Sequence, residues 1–338
     1  MNSSRLMLFA LLTLLVLLSA CQQTVKAPPQ VSTVSYFESI SLDAVSGQAW
    51  TKASLSNRYD NMVVVCTVHR LNNDLPELVR VRNAAGSSFE VRLQNPSGST
   101  LKAERVYCLV AEEGVWKLPD GLKFEARRFT SKVTNYFTQD ADGAGAWSGN
   151  GTRVNYGQTY TSPVILGQVM TFNDPKWSVF WSQGEPKDTK DGARPPASAT
   201  ALYIGKHVGE DSNTSRADET LGYMVFEASN ASKLDGIAYE VQLGPDAIYG
   251  KGNEFPGGTN RFRTSFAAAP AFAVVTHTGM DGFDGAWAVL DGETAIVRDA
   301  LQLIMQEDQL KDVEQWHLSE QVGYFVAEKE LNLMLERP

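Results

Sequence analysis

The chain has 338 residues, 43% of them hydrophobic and 20% charged, with a formal net charge of -9 and a pI near 5.1. It is too apolar for intrinsic disorder, and too acidic for a nucleic-acid binder, which would carry a basic face. Its three cysteines are too few for a disulfide scaffold.

The N-terminus carries one positive charge, Arg5, and then an apolar run over residues 6–18 broken only by Thr13. The run falls short of the roughly 20 residues that span a bilayer and reads as the apolar region of an export signal. It closes on Leu18-Ser19-Ala20-Cys21, which resembles the bacterial lipobox. The resemblance implies cleavage before Cys21 and a diacylated Cys21 that holds the membrane; two or more acyl chains anchor stably where one does so marginally. Residues 1–20 are thus expected to be a lipoprotein signal peptide, and residues 21–35, polar with Pro28-Pro29, a tether. Gln22, not Asp, follows the cysteine, which by the same resemblance favours the outer membrane, facing either the periplasm or the surface. With Cys21 taken by lipid, Cys66 and Cys108 remain in an oxidising compartment, within strand-like runs at 62–68 and 106–111. A disulfide between them is expected over two buried thiols; it would close a loop of roughly 40 residues and stabilise by about 3–4 kcal/mol.

Three later segments share the form Glu-x-apolar-x-x-x-Val-x-Glu: Glu104-Arg-Val-Tyr-Cys-Leu-Val-Ala-Glu112, Glu219-Thr-Leu-Gly-Tyr-Met-Val-Phe-Glu227 and Glu320-Gln-Val-Gly-Tyr-Phe-Val-Ala-Glu328. Upstream of each, an aromatic (Tyr59, Tyr160, Phe266) opens a strand-like run that ends in a turn: Asn72-Asn73-Asp74, Asn173-Asp174-Pro175 and Met280-Asp281-Gly282. After the first two copies come an Asp-Gly turn and a further strand; the third copy lacks that turn. A period of roughly 100 residues is too long for a solenoid and fits tandem small domains. Within each unit the runs are short, rich in Val, Phe and Tyr, and bounded by Gly, Asn, Asp or Pro. The expected fold is all-β: three tandem antiparallel β-sandwiches at 36–128, 129–245 and 246–338. Residues 299–311 are the one stretch that reads as a helix. Residues eight apart in a strand share a face, so the paired glutamates flank an apolar stripe. They are expected to serve structure by accepting backbone N–H groups or meeting a basic residue.

In the first unit, Trp50-Thr-Lys-Ala-Ser-Leu, residues 59–65, Val79-Arg-Val-Arg-Asn83 and Phe89-Glu-Val-Arg-Leu93 together resemble the H-type lectin domain. The second unit resembles a module of secreted bacterial proteins through residues 169–181 and Lys206-His-Val-Gly-Glu-Asp211. The resemblance covers roughly residues 36–338. It implies six-stranded antiparallel sandwiches, often trimeric, that bind N-acetylgalactosamine or related sugars near subunit edges. Three linked units would stand in for a trimer by analogy. The resemblance assigns no sugar-contacting residue in this chain.

Sugar sites pair an aromatic face with carboxylate or amide partners. Acidic pairs precede the second and third Glu strands, Glu210-Asp211 and Glu307-Asp308, the latter followed by Asp312, Glu314, Trp316 and His317; the first unit has none. The aromatic candidates are Trp177, Trp181, Trp287 and Trp316, though tryptophans in sandwich strands are commonly core. Calcium is a second use for such acids, with Asp281 and Asp284 in Asp281-Gly-Phe-Asp284-Gly as weak candidates; the spacing departs from an EF-hand loop, and turn chemistry explains Asp-Gly pairs. No other cofactor is expected. His69, His207, His277 and His317 join no nucleophile elbow, His-Glu-x-x-His or phosphate loop. The expectation is a non-catalytic, lipid-anchored envelope protein that binds carbohydrate. Its rivals are an assembly lipoprotein that binds other proteins and a glycan-active enzyme. The sequence leaves the oligomeric state open.

Overall fold

The computed structural model describes residues 34–139, 145–186, 194–252 and 257–338. The expected signal peptide, Cys21 and all but the last two residues of the tether lie outside them. The described chain is all-β. In the first repeat the strands are β1 (Ser35–Val45), β2 (Thr51–Tyr59), β3 (Met62–Arg70), β4 (Leu78–Gln94), β5 (Glu104–Glu112) and β6 (Gly114–Lys117). Next come β7 (Lys123–Ser131), the short β8 (Thr134–Asn135), β9 (Phe137–Gln139), β10 (Gly145–Trp147) and β11 (Thr152–Val154), then β12 (Pro163–Val169), β13 (Val179–Gln183), β14 (Leu202–His207), β15 (Glu219–Glu227) and β16 (Ser229–Leu234). The last are β17 (Ile237–Leu243), β18 (Gly258–Arg261), β19 (Phe272–Thr278), β20 (Trp287–Asp291), β21 (Ile296–Val297), β22 (Ala300–Gln306), β23 (Gln321–Ala327) and β24 (Asn332–Leu335).

The three Glu strands occupy the same place in three sheets. Each is flanked by the aromatic-led strand before it and by the opening strand of its repeat: β3-β5-β1, β12-β15-β7 and β19-β23-β17. All pairings in these trios are antiparallel. Their long apolar runs fit strands covered on both faces; β12 and β19 are buried throughout. A second strand set also repeats, as β11-β14-β13 and β18-β22-β20, the latter continuing the β3-β5-β1 sheet through a parallel pairing of β20 with β3. In the first repeat β4 fills two of those places. Arg80 reaches Gln94 at 2.6 Å and Arg82 reaches Glu90 at 2.9 Å, which a strand rising roughly 3.3 Å per residue cannot allow unless it doubles back. The reversal falls where Asn83 (φ 53°) and Gly86 (φ 66°) take left-handed backbone.

A fourth strand completes each trio, and its source is cyclic. After each Glu strand the chain sends an edge strand to the next repeat: β6 to β7, β16 to β17 and β24 to β1. By pairing, β7 and β17 belong with the sheets of the second and third repeats. This explains why the third copy needs no Asp-Gly turn. The first two exchanges are hairpins, turning at Gly121 (φ 88°) and at Asp235-Gly236 (φ 49° and 81°), whereas β24 pairs with a strand from the other end of the chain.

The described residues form one compact unit, and its largest core cluster draws on all three repeats. At its heart, Phe37 lies 5.6 Å from Phe124 and 5.7 Å from Phe325, which in turn lies 5.6 Å from Tyr239. These come from β1, β7, β23 and β17. Cys66 and Cys108 are register partners in β3 and β5 and form the expected disulfide. The helix expected at 299–311 is absent: β22 is a strand between β18 and β20. Leu301, Leu303, Ile304 and Met305 are all buried there, and an inner strand covers both of its faces where one helical stripe would cover only one.

Candidate functional site

The repeated glutamates tie loops to strands. Glu104 accepts the N–H groups of Leu71 and Asn73, Glu219 those of Asn173 and Asp174, and Glu320 those of Asp281 and Gly282, all at 2.7–3.1 Å. These are the three turns picked out from the sequence. At the other end, Glu112 accepts from Asp60 and Asn61, and Glu227 from Thr161 and Ser162. Glu328 departs from the pattern and accepts from Ala238 at 3.1 Å; Pro270, where the other copies present an N–H, has none. A third set escaped sequence reading. Glu38, Glu125 and Glu240 are buried on the opening strands and accept from Ser56, Gly157 and Arg263. Their signal is an aromatic-Glu dipeptide at Phe37-Glu38, Phe124-Glu125 and Tyr239-Glu240.

The third repeat adds histidines to this frame. His317 lies with Nδ1 2.6 Å from Glu307 and Nε2 3.0 Å from Glu320, whose other oxygen is 3.1 Å from His277 Nε2. His277 Nδ1 and His207 Nε2 both meet the Ala286 carbonyl, at 2.9 and 3.2 Å. Gly282 makes room, since a Cβ there would run into the His317 ring. Burial works against a charged His317, but the hydrogen bonds to Glu307 and Glu320 outweigh it and raise its pKa to about 10. Burial likewise opposes ionised Glu320, yet His277 and then His317 bring it down to about 2. Burial drives His207 down to about 3, helped by His277. The result is a neutral His207 beside a paired His317 and Glu320.

Asp284, Glu307 and His317 each bring a potential ligand atom within 4.8 Å of the others. One imidazole nitrogen with two carboxylates suits zinc or a similar transition ion better than calcium, which takes six to eight oxygens. An ion there would have to displace the proton between His317 and Glu307. Asp281, the other calcium candidate, is not in that set; burial and then Glu320 raise its pKa to about 6.

The two acidic pairs meet in space. Asp308 accepts the Glu210 N–H at 2.7 Å, Lys311 binds Glu210 at 2.6 Å, and Asp211 binds Arg216 at 2.6 Å. Three of the tryptophan candidates are core, with side chains packed where no sugar could stack. Trp177 lies 5.7 Å from Trp287, whose Nε1 donates to the Glu77 carbonyl, and Trp181 donates to the Gly279 carbonyl. Trp316 is 53% exposed. It follows Gln315, which with Asp74, Leu75, Lys251, Gln309 and Val313 lines a groove of about 290 Å³. Leu75, Leu310, Val313 and Leu318 are exposed too, Val313 by 85%. A second hollow, of about 380 Å³, is lined by Thr161, Ser162, Ser198, Gln242 and Arg263 among others.

Comparison with protein families, with curated proteins and with solved structures returned no match.

Proposed function

We propose that this is a lipid-anchored, outer-membrane protein of the cell envelope that binds carbohydrate through the 309–318 segment and the groove beside it, without catalysing a reaction. The observation that carries this reading is the exposed Trp316, whose sequence neighbour Gln315 lines a groove that combines acid, amide and ammonium groups with short apolar walls. An exposed indole offers a flat face to sugar C–H groups, and the amides and Asp74 suit hydroxyl partners. The threefold sheet pattern and the resemblance to H-type lectin domains support a recognition scaffold. The acids of the third repeat are engaged with His277, His317 and loop N–H groups, which favours a structural task for them over glycoside chemistry.

A glycan array probed with the full chain in detergent, with and without calcium, tests the proposal. Defined glycans should bind, and Trp316→Ala should lose them while melting within about 1 °C of the parent, as exposed positions do. Silence across the array, or binding indifferent to that change, overturns the reading. The exposed Leu75, Leu310, Val313 and Leu318 favour a second reading, in which the same surface docks another envelope protein. A silent array together with one stoichiometric envelope partner lost on Val313→Asp would establish it.

A further inference from the structure

One outward sheet face in the first repeat is basic on a chain that is strongly acidic. In the β2–β4 pair, Lys52 stands opposite Glu90 and Thr51 opposite Val91. Alternation sends Ala53, Phe89, Val91 and Leu93 into the core. Lys52, Glu90 and Arg92 therefore face the other way, where the doubling back of β4 adds Arg82 and the wholly buried Arg80.

Two rings space these cations. The Arg82 guanidinium sits 4.2 Å from the Trp50 ring centre, and Arg80 sits 4.7 Å from that of Phe172. Arg92 lies against both rings, 5.0 Å from Trp50 and 4.6 Å from Phe172, which pack edge to face with their centres 5.2 Å apart. Arg80 and Arg82 are engaged. Arg80 donates to Gln94 and to the Lys176 carbonyl and faces Glu219 at 3.4 Å, while Arg82 binds Glu90 at 2.9 Å. Arg92 has no hydrogen-bond or ion-pair partner among the described residues, and its Nε is buried without an acceptor. Burial and then repulsion from Arg82 make it a weaker base than usual. A half-buried guanidinium held against two rings has less rotamer freedom left to lose, and its planar fork matches a carboxylate with two parallel hydrogen bonds.

We propose that Arg92, braced by Trp50 and Phe172 and flanked by Arg82 and Lys52, is a carboxylate-binding site for an acidic polysaccharide of the uronate class. It rests on the carbohydrate reading above but lies apart from the Trp316 groove in sequence and in the residues used.

The test is calorimetric titration of the full chain in detergent with polygalacturonate, neutral dextran and dextran sulfate. Polygalacturonate should bind, and both Arg92→Gln and Arg92→Lys should weaken it at least tenfold, because the lysine keeps the charge but loses the fork. Both variants should stay folded, with melting lowered by no more than about 5 °C, since Arg92 has only its contacts with the two rings to lose. Unaltered polygalacturonate binding in Arg92→Gln overturns the proposal. So does full binding by Arg92→Lys, or equal affinity for dextran sulfate, since either outcome means simple charge attraction. The two readings fail separately: Trp316→Ala should abolish array glycans and spare polygalacturonate, and Arg92→Gln should do the reverse.

Discussion

Arg80 of the first repeat and Glu219 of the second face each other at 3.4 Å, with neither side chain reached by solvent. Burial draws the pKa of Arg80 down to about 10, against the pull of Glu219. A buried charge that loses its partner is far costlier than an exposed hydrogen bond that loses one. Glu219→Gln should therefore destabilise by about 3–5 kcal/mol. Glu227→Gln, at the exposed end of the same strand, should cost about 1 kcal/mol. Urea midpoints separate the two, and equal losses would show that the ion pair contributes nothing beyond its hydrogen bonds.

The disulfide joins residues 42 apart in sequence that are already neighbours in β3 and β5. Its effect should fall mainly on the unfolded chain. Replacing both cysteines with alanine should lower stability by about 3–4 kcal/mol. It should also steepen the denaturant dependence, because the released chain exposes more surface. An unchanged slope would move the effect to the folded state.

The histidine cluster pulls stability down on both sides of about pH 6.5, while the buried carboxyls Glu77, Glu307 and Asp308, raised to about 8, 7 and 7 by burial, cost stability as pH rises and move the overall maximum to more acid pH. His317 titrates near 6.5 when free and near 10 in the fold, so the stability it adds is complete below pH 6.5 and lost as pH rises through 10. His207, held near 3, works in the opposite sense. The unfolded chain takes up its proton first, and stability drops as pH falls from 6.5 towards 3. Glu320, with a pKa near 2 in place of 4.5, adds a further loss below pH 4.5. Melting curves of His317→Gln should flatten the alkaline limb and soften the loss below pH 4.5, because Glu320 gives up one of the groups that hold its pKa down, while the His207 loss between pH 6.5 and 3 remains. A variant with both limbs unchanged would refute the assignment.

Leu333 of β24 is 4% exposed and lies opposite Phe37 of β1. Leu333→Ala should cost about 2–4 kcal/mol, the range for a buried leucine. Amide exchange should quicken along residues 35–38 before anywhere else in β1. Uniform loss of protection across the chain would instead mean that β24 is no separate closing element.

The parts that sequence made legible are those whose cause is local. Val-rich strands, the turns after β3, β12 and β19, the disulfide and the Glu strands each follow from residue type and short spacing. Residues 299–311 misled because Leu301, Leu303, Ile304 and Met305 suit a helix stripe or an inner strand equally, and only neighbouring β18 and β20 decide. Trp177, Trp181 and Trp287 could not be told from binding residues until their neighbours were known. Glu38, Glu125 and Glu240 hid in a two-residue motif too short to stand out. Arg92 gave no signal, because its isolation depends on which partners Arg80 and Arg82 take.

Leu331 donates its N–H to the Ser39 hydroxyl across 292 positions of chain, beside the contact by which β24 covers β1. A chain delivered N-terminus first across the membrane presents β1 long before β24. Through most of that passage the first repeat must wait with an open sheet edge, the very surface on which chains stick to one another. The lag before the final residues emerge, more than the strength of the finished fold, is then the moment at which this protein is most exposed to aggregation.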